Sequence, residues 1–285
     1  MSMKLVISLF FAAALVLCAK DGDAACVWRV TGANGHTLYL GGSMHALRST
    51  DYPLPAAYNL AFNASSRLAF EQDPKQAAAA FKDIVREGQY AKGDSLKNHV
   101  DPRTYEYLRR FFALRGISED KFSRLKLWYI DVLFELPPPQ LSQLGVEQFL
   151  WHRAVANAKP VTGLESRQEH SAIFTGLSDR DSEAVLLIGF INAAHKDPKA
   201  LDTMVAAWRR GDADALTRRI QENYRDFPSF YDRLVTARNR NWLPKIKGYL
   251  NSGGTYFVIA GAAHMGGPDG LVALLRASGY KVEQL

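Results

Sequence analysis

Apolar runs of strand length mark both ends of the chain, whereas its long middle has helical periodicity. At the start, VWRVT alternates apolar and polar residues, and Asn34-Gly35 lies between it and HTLYLGG, which is a strong signal for a β-hairpin. Near the end, TYFVIAG is a continuous apolar run of the kind that forms a buried strand. The predicted strands are VWRVT (27–31), HTLYLGG (36–42), RLAFEQD (67–73), PVTGL (160–164), TYFVIAG (255–261) and YKVEQL (280–285).

Helices are predicted between these strands. Asp101-Pro102 is a good helix start, since Asp caps the first turn and Pro fits into it. The predicted helices cover 53–65, 75–90, a segment from residue 101, 120–136, 147–158, 269–277 and most of 166–251, with breaks near Asp197-Pro198, Gly211 and Pro228. Because neither end has enough strands for a sheet of its own, strands from both ends must share one. The sequence therefore predicts an α/β fold, with a central sheet built from N- and C-terminal βα units and a large, mainly helical middle insertion.

The N-terminus has the pattern of an export signal. Lys4 precedes the unbroken apolar run LVISLFFAAALVLCA at residues 5–19, which is shorter than the roughly 20 apolar residues that span a bilayer. Small residues at Gly22 and Ala24 predict cleavage after Ala24. We expect residues 1–24 to be a signal peptide and residues 25–285 to be one domain, exported to the periplasm or the medium, with no membrane span after cleavage. A buried N-terminal helix is the alternative.

Composition narrows the class of protein further. After the expected cleavage only Cys26 remains, so no internal disulfide holds the fold. The formal net charge is +6, and a nucleic acid is not expected as a partner because no binding motif accompanies that charge. An anionic envelope surface is a candidate partner, and a solvated helical face is the plain alternative. Much of the excess charge comes from Arg209, Arg210, Arg218, Arg219, Arg225, Arg233, Arg238 and Arg240.

Two predicted strands end in the same Gly-x-x-His pattern. Gly42-Ser43-Met44-His45 follows TLYLG, and Gly261-Ala262-Ala263-His264 follows YFVIA. Ligands bind at the carboxyl edge of open α/β sheets, and Gly permits a close backbone approach there. The shared position makes His45 and His264 candidates for one site, although a single histidine after a strand is commonly a turn residue. Ser43 is not expected to form a nucleophile pair with His45.

Two carboxylates occupy corresponding positions. Glu71 ends RLAFE and Glu165 ends VTGLE, so four side chains gather along one edge if these strands run parallel in one sheet. Two imidazoles with a carboxylate suit a divalent ion such as Zn, Mn or Co. Such an ion lowers the pKa of a bound water, and a spare Glu serves as general base. Helix capping or a surface ion pair is the alternative for each carboxylate.

Two further positions have chemistry of interest. Glu147 stands at a predicted helix start, where a negative charge is favourable even without a function. Arg238-Asn239 interrupts a helical stretch, and an Arg there suits a carboxylate or a developing oxyanion, although a surface Arg is the default. We expect Arg238→Ala to fold normally and to lose activity or ligand affinity. The sequence has no HExxH, CxxC, GxSxG or Walker motif.

Together these motifs resemble the TraB/GumN family, which is related to the Tiki proteins. The resemblance runs from about residue 27 to residue 285 and rests on VWRVTGANGHTLYLGGSMHAL, FEQD, GVEQFLWHRAVANAKPVTGLES, TARNRNW and VIAGAAHMGGPDGL. Tiki-type members are described as divalent-metal-dependent peptidases, and other relatives in the wider fold bind haem or hydrolyse esters. The family pattern has Asp at the position of Glu147.

The resemblance implies a core site of His45, Glu71 and His264, with Arg238 and Asn239 nearby. Our first hypothesis is an exported metal-dependent hydrolase, most simply a peptidase acting on a peptide or protein. The two histidines bind the metal, Glu71 binds the metal or activates water, and Arg238, with Asn239 beside it, stabilises charge in the transition state. One alternative is a non-catalytic envelope protein that holds haem or an anionic metabolite at the same edge. Another is an envelope assembly partner with neither metal nor turnover.

Overall fold

The computed structural model of the protein describes residues 24–135, 137–194 and 197–285. Within these residues the chain forms a mixed six-stranded sheet, around which the helices pack. The predicted α/β fold with a mainly helical middle insertion is confirmed. The predicted signal peptide lies outside the described residues apart from Ala24. None of the helices in the described ranges is long and apolar enough to cross a bilayer.

Strands and helices alternate at both ends of the chain, and helices follow one another in its middle. The strands are β1 (Val27–Thr31), β2 (Thr37–Ser43), β3 (Arg67–Phe70), β4 (Val161–Gly163), β5 (Tyr256–Gly261) and β6 (Lys281–Gln284). The α-helices are α1 (Ala56–Ala64), α2 (Ala77–Glu87), α3 (Pro102–Ala113), α4 (Glu119–Phe122), α5 (Leu127–Glu135), α6 (Pro139–Ser142), α7 (Val146–Ala156), α8 (Arg167–Thr175), α9 (Asp179–Ala194), α10 (Ala200–Arg209), α11 (Ala213–Asn223), α12 (Pro228–Tyr231), α13 (Ala237–Leu250) and α14 (Leu271–Ala277). Shorter 3₁₀ turns cover Ser49–Asp51, Pro74–Gln76, Leu96–Asn98 and Ala262–His264, and a π-helical turn covers Asp232–Thr236.

The sheet interleaves strands from the two ends of the chain, in the order β4-β3-β5-β2-β1-β6. β1 pairs antiparallel with both β2 and β6, which confirms the predicted hairpin. β2, β5, β3 and β4 run parallel to one another. The carboxyl ends of these four strands therefore lie at one edge of the sheet.

Two buried aromatic residues fix the end of β2, from which one Gly-x-x-His segment continues. The Trp208 indole Nε1 donates to the Gly42 carbonyl at 2.8 Å, and the Tyr58 hydroxyl donates to the same oxygen. Both side chains are fully buried in the main core. A buried carbonyl with two donors costs little to desolvate, so this strand end is held firmly where the site begins.

The predicted helix over residues 120–136 is wrong in its middle. The structure has α4 and α5 with residues 123–126 between them, and Leu136 lies outside the described part. The Tyr90 N–H donates to the Arg124 carbonyl at 2.8 Å, and the Lys126 N–H donates to the Gly88 carbonyl at 2.8 Å. This pairing with the chain after α2 is non-local, and it overrides the local helical pattern.

The predicted interruption at Arg238-Asn239 is also wrong. Both residues lie inside α13, and the irregular backbone is the π-helical turn that precedes it, Asp232–Thr236. A π-helical turn contains an extra residue and so changes which side chains of the following helix face the sheet. Such turns occur often at functional sites.

Three of the late arginines have partners within the protein. Arg209 Nη1 donates to the Asp51 carbonyl at 2.8 Å, and Arg233 Nη1 donates to the Ala172 carbonyl at 2.8 Å. Arg238 is buried. The anionic envelope surface therefore stays a prediction that these three residues do not support.

His99 ties the loop after α2 to the start of α9. Its Nδ1 lies 2.8 Å from Asp179 Oδ2, its Nε2 lies 2.8 Å from Asp94 Oδ2, and its ring stacks on Tyr90 at 4.0 Å between centroids. With a carboxylate at each nitrogen, both nitrogens donate, as only the imidazolium does. The hydrogen bond to Asp94, aided by Asp179, raises the pKa of His99 above its ordinary value.

We expect His99→Asn to lower the melting temperature by roughly 1–2 °C at pH 6, because the ion pairs are partly exposed. A raised folded-state pKa gives stability that is complete below the unfolded value of 6.5 and is lost as pH rises through the folded value. The deficit should therefore become smaller as the pH rises through the raised pKa of His99. Calorimetry across this range measures it, with the exposed His152→Asn as control. A deficit that grew with pH would contradict this account.

Candidate functional site

Four predicted side chains follow the ends of four neighbouring parallel strands. Glu165, Glu71, His264 and His45 come after β4, β3, β5 and β2, in the order of the strands across the sheet. All four therefore start from the same edge. Their contacts decide which of them act together.

Glu71, His45 and His264 converge beside Gly261, at the end of β5. A Cβ atom on Gly261 would lie 3.3 Å from His45 Nε2, 3.4 Å from Glu71 Oε1 and 3.6 Å from His264 Cδ2. His264 Nε2 is 3.9 Å from Glu71 Oε1. Gly261 is thus the residue that lets the three side chains approach one point.

Glu71 is held from two directions. Its Oε1 accepts the Gly261 N–H at 2.7 Å, and its Oε2 lies 2.5 Å from Arg238 Nη2. Burial disfavours the charged form, but the charge of Arg238, with smaller contributions from both histidines and the Gly261 N–H, outweighs it and holds the pKa of Glu71 well below its usual range. Glu71 is therefore an ionised carboxylate at neutral pH.

Glu147 orients His45 from the first turn of α7. Its Oε1 lies 3.0 Å from His45 Nδ1 and also accepts the Ser43 hydroxyl. The strand ends at Ser43, and the chain turns at Met44. The side chains of Ser43 and His45 both reach Glu147 Oε1. The charge of Glu147, together with its hydrogen bond, raises the pKa of His45 to about 9. With Nδ1–H directed at Glu147, Nε2 is the atom near Gly261.

Asn239 does the same for His264. The Asn239 Nδ2 donates to the His264 carbonyl at 3.2 Å and to the Asp269 carbonyl at 2.9 Å, so its Oδ1 is left to accept from His264 Nδ1 at 2.7 Å. His264 Nε2 therefore carries the lone pair. Burial lowers the pKa of His264 to about 3, which keeps the ring neutral. Asn239 is fully buried and supports His264 from behind.

Arg238 has all five of its N–H groups committed within the protein. Nε and Nη2 bind Glu165, at 3.0 and 2.7 Å, and Nη2 also binds Glu71. Nη1 lies 3.0 Å from the Leu234 carbonyl and 3.2 Å from His264 Nε2. Its guanidinium also lies over the ring of Trp242, 4.5 Å from the centroid. The surface Arg of the default interpretation is thus a buried cation between two carboxylates.

Sequence reasoning missed His170. Its Nδ1 lies 2.7 Å from Glu165 Oε1, and Glu165 is only 4% exposed. Ser166 and Glu169 form a capping box that starts α8 and brings His170, in its next turn, back to Glu165. The capping-box pattern Ser-x-x-Glu was legible in the sequence, but it does not by itself point to the carboxylate before it.

The donor set at this edge suits a divalent ion. Among the described residues, His45, Glu71 and Glu147 each offer one ligand atom, and these atoms lie within 4.8 Å of one another. His264 adds a neutral imidazole whose Nε2 lies 3.9 Å from Glu71 Oε1 and 3.2 Å from Arg238 Nη1, so an Arg238 N–H takes the lone pair that an ion would need. Imidazole and carboxylate ligands fit Zn, Mn or Co. His264 is not in this close group, so two ligand sets share His45 and Glu71: one adds Glu147, and the other adds His264 Nε2, with Glu147 and Asn239 as the groups that orient the two rings.

Comparison of the sequence with known protein families identifies one family. A family model described as the TraB/PrgY/gumN family matches residues 26–284, nearly the whole of the described chain. No curated protein and no solved structure matches the chain.

Proposed function

Because the chain belongs to the TraB/PrgY/gumN family, we propose that this edge of the sheet binds one divalent metal ion and hydrolyses an acyl bond, most simply a peptide bond. The observation that carries the proposal is the convergence of His45 Nε2, Glu71 and His264 beside Gly261, with a hydrogen-bonded partner behind each imidazole. An orienting partner on the second ring nitrogen is typical of metal-binding histidines.

The charge of the cluster supports a cation. Glu71, Glu147 and Glu165 contribute three carboxyl groups, whereas Arg238 is the guanidinium that contacts two of them. A metal ion must displace the proton of His45, since the pKa of that ring is raised to about 9 while the site holds no ion. His264 is already neutral, so at its Nε2 the ion would displace only the hydrogen bond from Arg238 Nη1.

The position of each residue in the site indicates its role in the proposed reaction. A bound ion would polarise a substrate carbonyl and lower the pKa of a coordinated water. His45, 65% exposed, lies at the mouth of the site, and Glu147 beside it is the carboxylate available to take a proton from that water. Arg238 keeps Glu71 ionised and in place. An ion at His264 Nε2 would release the Arg238 Nη1–H that lies against that atom, and the predicted contact of Arg238 with developing charge would use this N–H.

Cobalt titration of chelator-treated protein tests the proposal. We expect Co²⁺ to raise the melting temperature and to give d–d absorption bands, because an ion that binds only the folded state stabilises it by about 2.7 kcal/mol at a hundredfold excess over Kd. Glu147→Gln should weaken binding about tenfold as the loss of an orienting partner. A Soret band after expression with haem, and no response to Co²⁺, would instead support the ligand-binding alternative.

Gly261→Ala should block the ion without unfolding the protein. The new methyl group would lie 3.3 Å from His45 Nε2 and 3.4 Å from Glu71 Oε1, tight contacts made by the ends of side chains. We expect Co²⁺ affinity to fall at least about tenfold and the metal-free melting temperature to change by less than about 2 °C. Gly248→Ala in α13 is the control, since nothing lies within 4 Å of its Cβ position. Unchanged affinity in Gly261→Ala would place the ion elsewhere.

The proposal includes export, motivated by the short apolar run over residues 5–19 and the small residues that follow. Mature protein then starts at Ala25 and meets its peptide or protein substrate in the periplasm or the medium. The intact mass of protein recovered from these fractions tests this. A mass that still includes residues 1–24 would remove the argument for export.

A further inference from the structure

Glu165 is a buried carboxylate with four donors, and its contact with the converging ligands is through its backbone N–H, which donates to the Glu71 carbonyl at 3.0 Å. Oε1 accepts from His170 Nδ1 and Arg238 Nη2, both at 2.7 Å, and Oε2 accepts from Arg238 Nε at 3.0 Å and Trp242 Nε1 at 3.2 Å. Because an ionised carboxylate only accepts, His170 Nδ1 is the donor. Glu165 thus fixes the plane and the position of the Arg238 guanidinium.

His170 competes with Arg238 for one oxygen of Glu165. Arg238 Nη2 is shared between Glu165 Oε1 and Glu71 Oε2. The hydrogen bond from His170 Nδ1 partly neutralises the negative charge on Glu165 Oε1. Arg238 Nη2 is therefore attracted less strongly to Glu165 and keeps its contact with Glu71. The His170 ring is 25% exposed, and its Nε2 has no partner among the described residues, so Nδ1 alone makes its polar contact.

We propose that His170 is a positioning residue that acts through Glu165 to place Arg238 against Glu71. This inference rests on the proposed metal site for its effect on function, but not for its structural part. The side-chain contacts run from His170 through Glu165 and Arg238 to Glu71, and each is a direct hydrogen bond or ion pair of 3.0 Å or less. This series of contacts has a partly exposed histidine at one end and a ligand carboxylate at the other.

The structural part has a reporter that needs neither metal nor activity. Trp242 Nε1 donates to Glu165 Oε2, so the Trp242 indole N–H resonance in ¹H–¹⁵N spectra responds to a rotation of this carboxylate. The chain has five tryptophans, and Trp242→Phe assigns the resonance by its loss. We expect the resonance to move in His170→Phe, which cannot donate, and to stay near its wild-type position in His170→Asn, whose Nδ2 reaches as far as the histidine Nδ1.

Cobalt titration of the same variants, as full chains, measures the functional part. We expect His170→Phe to bind Co²⁺ about tenfold more weakly than wild type, because Glu71 loses its fixed orientation. His170→Asn should stay within about twofold, as should His152→Asn, the exposed control on α7. His170→Met is the second variant without a donor, for use if His170→Phe does not fold.

Each outcome decides one part. A resonance that does not move in His170→Phe or His170→Met overturns the inference. So does a resonance that moves with unchanged Co²⁺ affinity, because Glu165 would then not act on Glu71. Equal loss of affinity in His170→Asn and His170→Phe also overturns it, since the donor would not be what matters. Wild-type protein that binds no Co²⁺ contradicts the proposed function, and the indole resonance then decides the positioning by itself.

Discussion

Arg238→Met should lower the free energy of unfolding by about 3–5 kcal/mol at pH 7, because it leaves Glu71 and Glu165 buried without their counter-ion. Their side chains are 16% and 4% exposed, and that of Arg238 is 9% exposed. Thermal unfolding measures the loss, which corresponds to roughly 6–20 °C for a chain of this size. The sequence predicted an Arg238 variant that folds normally, and the burial of this ion cluster corrects that expectation.

The loss should depend on pH in a defined direction. Burial opposes ionisation of both carboxyl groups, yet Arg238 and the other donors lower the pKa of Glu71 and of Glu165 below the unfolded value of 4.5. A lowered folded-state pKa gives stability that is complete above the unfolded value and is lost as pH falls through the folded one. The gap between wild type and Arg238→Met should therefore be widest near pH 7 and narrow as the pH falls below about 4.5.

Three further variants separate the effect of the Arg238 charge on stability from the effect of its hydrogen-bond geometry. Arg238→Lys keeps a charge but not the planar donor fork, so an intermediate loss is expected. Arg238→Met with Glu165→Gln should recover part of the stability, because one uncompensated charge is removed. Arg240→Met, two residues further along α13, removes a cation that is 58% exposed and should cost less than about 1 kcal/mol. Equal melting temperatures for Arg238→Met and Arg240→Met would contradict the buried ion cluster.

The sheet was predictable because its signals are local. Alternation in VWRVT, the Asn34-Gly35 turn and the apolar run of β5 each define a strand without reference to the rest of the chain. The strand count at each end then required a shared sheet. The helix over 120–136 failed for the opposite reason, since residues 123–126 pair with the chain after α2, and that contact is not encoded in their own pattern.

The site, like the sheet, was predictable where the signals are local to a strand and its end. Position at the end of a strand put Glu71, His45 and His264 at one edge, because parallel strands finish together. The groups that orient them come from helices, so their contacts depend on how those helices dock. Glu147 reaches His45 because Gly145 lets α7 approach closely: a Cβ there would lie 2.6 Å from the His45 carbonyl. No periodicity in the sequence reports that approach.

His45→Ala and His264→Ala should each abolish most Co²⁺ binding, and the double variant should lose little more. The two histidines are over two hundred residues apart in sequence, yet both rings approach the point beside Gly261. A set of ligands that loses one member no longer functions as a unit. The Co²⁺-dependent rise in melting temperature should disappear in both single variants. Titration and melting with and without Co²⁺ measure these effects.

The metal-free proteins should differ from each other. The His45 side chain is 65% exposed, so its removal should change the metal-free melting temperature by only about 1 °C. His264 is buried, binds Asn239 and lies 4.6 Å from Trp242 between ring centroids. Its removal opens a cavity and leaves buried polar atoms unpaired, at a cost of about 2–4 kcal/mol. His264→Gln, which keeps size and polarity, is the second variant if His264→Ala is too unstable to titrate.

The coupling between the two histidines then decides the ligand set. If both bind one ion, the losses of Co²⁺ affinity are strongly non-additive although the losses of metal-free stability nearly add, because no hydrogen bond or ion pair among the described residues joins His45 to His264. If His45, Glu71 and Glu147 bind the ion without His264, then His264→Gln keeps its Co²⁺ affinity and Glu147→Gln loses it. Wild-type affinity in both His45→Ala and His264→Gln would leave neither ligand set standing, and the proposed metal-dependent hydrolysis would fall with them.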